Sequence, residues 1–139
     1  MKNYLEIFTA SYQRVSAISV ADRDFFEAFY HAFICTSAEV ADKFRDVDMV
    51  KQREHLRNSL DQMIYFSIDR KASDTLLNIA KTHSKAGKNI RAGLYEVWLE
   101  SLLQTVQKFD AEFDEETEIA WRVVLAPGIS YMKTQYEKL

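Results

Sequence analysis

The sequence predicts an all-α protein of about seven helices, two of them short. Three observations carry that expectation. Apolar residues recur at i, i+3, i+4 and i+7 through most of the chain, the period of a helix with one buried face. No stretch alternates polar and apolar residues long enough to make a convincing strand. Only three Gly and one Pro occur in 139 residues, which leaves little turn material for hairpins. Helices of unequal length joined by corners suggest orthogonal layered packing rather than an up-down bundle.

The first predicted helix covers residues 3 to 17. Asn3 can cap it, because its side-chain oxygen can accept from a free amide of the first turn. Leu5, Phe8, Tyr12 and Val15 make the buried face. The linker SAISVAD ends near Asp22, which is expected to cap the second helix, DFFEAFYHAFICTS. Phe26, Phe29, Tyr30 and Phe33 share one stripe there. Tyr30 differs from the others because its hydroxyl needs a partner when buried. His31, beside the stripe, reads as a surface or boundary residue. Ser37 can cap a short third helix, SAEVADKF, that ends near Phe44. After the corner RDVD, Asp46 or Asp48 caps a fourth helix that runs to about Ser67. Its inward series is Met49, Gln52, Leu56, Leu60 and Met63. Gln52 interrupts that series, and spacing alone leaves it either in solvent at the boundary or as a functional amide. His55 lies about 100° around the helix from Leu56, at the edge of the face.

The fifth helix is read from SDTLLNIAKTHSKAGKNI. Ser73 and Asp74 give a capped, dipole-matched start, and Gly87 is the expected stop. Leu76, Ile79, Ala80 and His83 share one face. An imidazole in an otherwise apolar stripe must find a hydrogen-bond partner or bind a metal, and the residues alone leave both open. The sixth helix is expected from about Ile90 to Phe109, with Ile90, Leu94, Val97 or Trp98, Leu102, Val106 and Phe109 inward. An acidic break, DAEFDEET, follows. Asp114 can cap the last helix, whose expected inward residues are Ile119, Val123, Ala126, Ile129 and Met132. Pro127 inside that helix removes a backbone donor, which predicts a kink or a break.

Composition narrows the class. With 47% hydrophobic and 13% aromatic residues, residues 1–139 read as one domain. A chain of this length buries about two thirds of its unfolded surface and needs no staples. A single Cys, Cys35, excludes an internal disulfide and any cysteine-rich zinc site. The net charge of −3 is scattered, without the basic stripe of a nucleic-acid binder. The N-terminal segment MKNYLEIFTASYQRV has no long apolar run, and nothing reaches transmembrane length. The expectation is therefore no secretory signal, no membrane and a cytoplasmic location. No Gly-rich phosphate loop, HExxH or GxSxG motif is present.

Between about Phe25 and Met132, several features occur in order. FYHAF is followed by AEVADKF, similar to an FYxxLF…PEVxxxF pattern with Ala38 in place of the proline. Phe44 closes that pattern. QREHL matches QxxxL, and IAKTHSKAG matches xxKxHxxxG. IRAGLYEVWLESLL and the AW of IAWRVVL come next. In this order and separation the sequence resembles the globin family, in particular bacterial single-domain haemoglobins and the haem domain of flavohaemoglobins. The expectation is that any reductase is a separate protein.

The resemblance implies a globin fold and a haem b cofactor, with His83 as the iron ligand. The other ring nitrogen of His83 would donate to a backbone carbonyl of its own helix, with Tyr95 joining the network. Phe44 and Trp98 would contact the porphyrin, Ile90 would pack beside it, and His55 would pair with a propionate. Alternatively His55, Lys51 or Gln52 would occupy the sixth position. Tyr30 and Gln52 would donate to a dioxygen ligand, each hydrogen bond contributing about 1 kcal/mol or more in a low-dielectric pocket. Leu56 and Phe33 would keep that pocket apolar. The implied function is reversible binding of dioxygen and other diatomic gases, with no catalytic residue assigned. One alternative is nitric oxide dioxygenation with a separate reductase, and another is a haem-free signalling module. His83 and a polar distal pair argue against the latter, because an apolar core would be more stable. Cys35, beside core positions, argues against a related phycobilin carrier. Both a monomer and a homodimer are compatible with the sequence.

Overall fold

The computed structural model describes residues 3–139; Met1 and Lys2, the first two residues of the N-terminal segment read as lacking a secretory signal, lie outside the described residues. Seven helices are formed among the described residues: α1 (Tyr4–Ser16), α2 (Phe25–Ile34), α3 (Ala38–Lys43), α4 (Met49–Asp69), α5 (Asp74–His83), α6 (Ala92–Phe109) and α7 (Glu115–Gln135). The all-α expectation therefore stands.

Most helix starts obey local chemistry. Side-chain oxygens of Asn3, Ser37, Ser73 and Asp114 accept from the amides of Glu6, Val40, Leu76 and Thr117 at 3.2, 3.2, 3.0 and 2.9 Å. Of the two candidates for α4, Asp48 is the cap, accepting from Val50 N at 3.0 Å. The expected cap of α2, Asp22, is corrected to Asp24, which accepts from Glu27 N at 2.8 Å. Asp22 is used differently. Ser19–Val20 (β1) and Arg23–Asp24 (β2) form a minimal antiparallel hairpin that was not anticipated. Its two turn residues, Ala21 and Asp22, have φ of 52° and 64°. Positive φ at both positions matches the twist of a two-residue hairpin, and it removes Asp22 from the extended geometry of an N-cap.

The chain forms two compact units. One comprises the chain up to Val47 with Val97–Val124, and the other Asp48–Glu96 with Leu125–Leu139.

The first unit is built around Trp121, which is fully buried. Its ring lies 4.5 Å from that of Phe8 and 6.2 Å from that of Phe25, and Phe25 meets Phe109 edge-on at 5.8 Å. A polar knot is sealed into this aromatic core. Ser11 Oγ donates to Asp110 Oδ2 at 2.6 Å and accepts from Trp121 Nε1 at 2.9 Å. Asp110 also accepts from Arg14 and from Glu112 N, so the buried carboxylate has a full set of donors.

In the second unit Leu76, Ala80 and Met132 form a buried cluster covered by Phe66, Ile79, Tyr95, Tyr131 and Leu139. Leu56, Leu60 and Met63 are the buried residues of α4. Gly128 is required by Met63: a Cβ there would stand 2.7 Å from Met63 Cγ.

Several expected boundaries are corrected. Helix α4 continues to Asp69, and α6 begins at Ala92, which leaves Ile90 in the preceding segment. Helix α5 stops at His83 rather than near Gly87. No glycine has positive φ. Gly87 is needed for close approach instead, since a Cβ there would lie 2.5 Å from the Thr82 carbonyl oxygen. The inward face of α7 is also shifted. Val123 is 49% exposed and Ala126 is exposed, whereas Ala120, Trp121, Val124 and Leu125 are buried with Ile129 and Met132. Helix α7 runs through Pro127 without the expected break. Water can reach Val123, whose carbonyl loses its donor to the proline.

Candidate functional site

The residues singled out in the sequence fall into two groups, one within each unit. In the first unit Tyr30, Phe33, Phe44 and Trp98 belong to one aromatic array. Tyr30 and Phe33 are 5% and 7% exposed and meet Phe44 edge-on at 5.4 and 5.9 Å. Phe29, anticipated only as core, links the array: its ring lies 4.9 Å from Tyr30, 5.4 Å from Phe33 and 6.1 Å from Trp98. Spacings of one and four residues on α2 create the contacts of Phe29 with Tyr30 and Phe33, and the other three reach Phe44 and Trp98. Each aromatic pair adds about 0.5–1.5 kcal/mol beyond burial, so the ring that carries the Tyr30 hydroxyl is held firmly.

In the second unit Gln52 and Leu56 are one helical turn apart on α4, the first half-buried and the second buried. His55 is exposed. His83 is the last residue of α5 and is half-buried. Its Nδ1 lies 2.7 Å from the Ile79 carbonyl oxygen. A carbonyl can only accept, so Nδ1 carries the proton and Nε2 keeps the lone pair. Burial holds the imidazolium pKa below the ordinary histidine value; the hydrogen bond to Ile79 works in the opposite direction, and Lys88 adds to the lowering. The ring is therefore neutral at pH 7.

The segment after His83 is compact. Ser84 Oγ donates to the Lys81 carbonyl at 2.7 Å, Asn89 N to the Ser84 carbonyl at 2.9 Å, and Ile90 N to the His83 carbonyl at 3.0 Å. Ile90 is thus tied directly to the backbone of His83. Tyr95 lies on α6. It packs on the Leu76–Ala80–Met132 cluster, and burial pushes its phenol well above the ordinary tyrosine range.

This arrangement suits a haem iron. A neutral imidazole of fixed tautomer, with Nε2 unprotonated, is the donor that such an iron requires. One imidazole suffices for a metal already held by a macrocycle. Among the described residues no three His, Cys, Asp or Glu gather as an all-protein cage would need. No helix among the described residues is long and apolar enough to cross a membrane.

Seven helices among the described residues, with a buried aromatic array in one unit and an oriented imidazole in the other, define an all-α protein. The chain matches over 97% of its length the crystal structure of a protein from Pseudomonas aeruginosa PAO1 described as structurally highly homologous to a human hemoglobin, with a TM-score of 0.87, 33% identity and 99% of that chain covered. No family model and no curated protein matches it. The chain belongs to the globin family.

Proposed function

We propose that this globin, as a single domain over residues 1–139, holds haem b through His83 and reversibly binds dioxygen and other diatomic gases. The observation that carries the reading is the His83 ring, neutral and anchored by Nδ1 to Ile79, with Nε2 left as a donor. The likeness to a structure described as homologous to a human hemoglobin supports it. Bound haem b supplies an iron with one open position for a gas molecule. His83 would hold the iron from one side. Phe44, Trp98, Ile90 and Leu56 would line the macrocycle, with Tyr95 behind the His83 helix. His55, exposed, would pair with a propionate. Tyr30 and Gln52 would donate to the gas ligand, and Phe33 would limit water entry.

The test is the absorption spectrum of the purified protein, oxidised, reduced, and reduced under carbon monoxide. A Soret band that shifts with carbon monoxide and is lost in His83→Ala is expected. No Soret band after haem is supplied would overturn the proposal. Sharp, split visible bands in the reduced protein would replace the open site with an internally ligated one.

A further inference from the structure

We propose that the exposed cations of residues 81–91 form a docking surface for an acidic electron-carrying protein, which delivers one electron beside His83. The inference rests on the reading of His83 as the haem ligand. A haem iron binds dioxygen only in its reduced form, so a dioxygen-binding globin needs a source of electrons whenever its iron is oxidised. Charge is divided unevenly in this chain. The unit that carries His83 holds eleven Lys and Arg against seven Asp and Glu, a net of +4, although the whole chain has a net charge of −3. Four of those cations, Lys81, Lys85, Lys88 and Arg91, fall in a stretch that contains no acidic residue.

The turn after α5 gathers these side chains. Gly87 N donates to the Ser84 carbonyl at 3.0 Å, Lys88 N to the Thr82 carbonyl at 2.8 Å and Ile90 N to the His83 carbonyl at 3.0 Å. The chain thus folds back on the end of α5, and Lys81, Lys85, Lys88 and Arg91 are all exposed there. Lys88 is near enough for its charge to act on the His83 ring. Neighbouring charges cancel. Lys133 pairs with Glu96 at 2.7 Å. Glu137 and Lys138 follow Tyr136, whose carbonyl accepts from Lys85 N at 2.9 Å. Like charges held together repel one another, and they steer a partner of opposite sign to the face that carries them. An anionic membrane fits less well, because no large apolar side chain is exposed among residues 81–92 to enter a bilayer. A carrier seated on this face brings its redox group beside the backbone that is bonded to His83. Its reduced flavin or iron–sulfur group gives up one electron and is oxidised by one unit. That electron reduces the iron that His83 would hold, and no bond or proton changes hands.

The test uses the full chain: wild type, Lys85→Glu with Lys88→Glu, the milder pair Lys85→Gln with Lys88→Gln, and Lys108→Glu on α6 as a control outside the turn. A flavodoxin and a plant-type ferredoxin, both acidic one-electron carriers, are the probes. Binding is followed by calorimetry at low and high salt, a readout that does not depend on bound haem. Wild type should bind at least one carrier, with an affinity that falls as salt rises. At low salt the double glutamate variant should bind about tenfold more weakly, the glutamine pair less so, and Lys108→Glu as wild type does. In the haem-loaded protein, stopped-flow reduction by the same carrier should slow in that order, with carbon monoxide binding to the reduced protein unchanged. No binding of either carrier, binding indifferent to salt, or an equal loss in Lys108→Glu would overturn the docking surface and leave the proposed function intact. Binding to phosphatidylglycerol vesicles through the same lysines, with neither carrier bound, would overturn it in favour of a membrane. Failure of wild type to take up haem would overturn the function itself, and the electron-delivery role with it.

Discussion

Arg14 and Asp110 lie 96 positions apart in sequence and meet as a two-pronged ion pair: Arg14 Nε donates to Oδ1 at 2.7 Å and Nη2 to Oδ2 at 2.9 Å. The Asp110 side chain is wholly buried, and Arg14 keeps 31% of its side chain in solvent. The pair closes the first unit where α6 ends, and it is joined to the aromatic core through Ser11 and Trp121.

Replacing Asp110 by Asn keeps the shape and removes the charge. Breaking a buried pair leaves the partner uncompensated, and the expected loss is about 3 kcal/mol, toward the lower end for such pairs because Arg14 can turn to water. Burial alone would raise the Asp110 pKa. Hydrogen bonds from Arg14, Ser11 and Glu112 N outweigh that, and the net direction is down. A depressed carboxylate contributes stability that is present above the unfolded value, about 3.9, and is lost as pH falls through the lower folded value. Urea midpoints measured from pH 7 downward should therefore converge for wild type and Asp110→Asn below about pH 4. A constant gap across that range would contradict this account.

Ser11→Ala removes two bonds at once. The indole of Trp121 loses its acceptor inside a fully buried site, and Asp110 loses one donor. An unsatisfied buried donor is costly, so a loss of about 2 kcal/mol is expected from chemical denaturation. A neutral effect would mean that the core relaxes enough to admit water.

Gly87→Ala probes the turn beside His83. The added Cβ would stand 2.5 and 2.6 Å from the carbonyl oxygens of Thr82 and Lys81, which are backbone atoms of the turn that carries the histidine. Overpacking of this kind costs about 1–3 kcal/mol. Thermal unfolding should register that loss, and under the proposed function haem should also dissociate faster. A variant as stable as wild type would show that the turn shifts without penalty.

Tyr30→Phe keeps the aromatic array and removes its hydroxyl. Under the proposed function one donor to the gas ligand is lost, and dioxygen release measured by stopped flow should be about five to ten times faster. An unchanged rate would assign the hydroxyl to packing alone.

Much of the fold was readable because it rests on short-range rules. Caps at Asn3, Ser37, Ser73 and Asp114 follow from one side chain meeting the amide three residues on. The stripes of Phe26, Phe29, Tyr30 and Phe33 on α2 and of Leu56, Leu60 and Met63 on α4 follow from the helical period, and all are buried. The face of α5 that carries Leu76, Ile79, Ala80 and His83 was legible for the same reason, whereas the carbonyl partner of the His83 ring was implied only by the resemblance to globins. Helix α7 was harder. Its apolar residues fill two adjacent stripes, so period alone could not choose between Val123 with Ala126 and Trp121 with Val124. Burying the large indole decided it.

By itself, then, the sequence determined the helices and most of their caps, because propensity, capping and amphipathic spacing act within one or two turns. Only the tertiary structure decided that Asp110, one carboxylate in an acidic run, is buried against Ser11 and Arg14, that Phe29 links the aromatic array, and that Tyr136 grips the segment beyond His83. The pairings of Asp110 with Ser11 and Arg14, of Phe29 with Trp98 and of Tyr136 with Asn89 join residues 47 to 99 positions apart. No local rule registers them, because their free energy comes from desolvation and hydrogen bonding that exist only once the chain has closed.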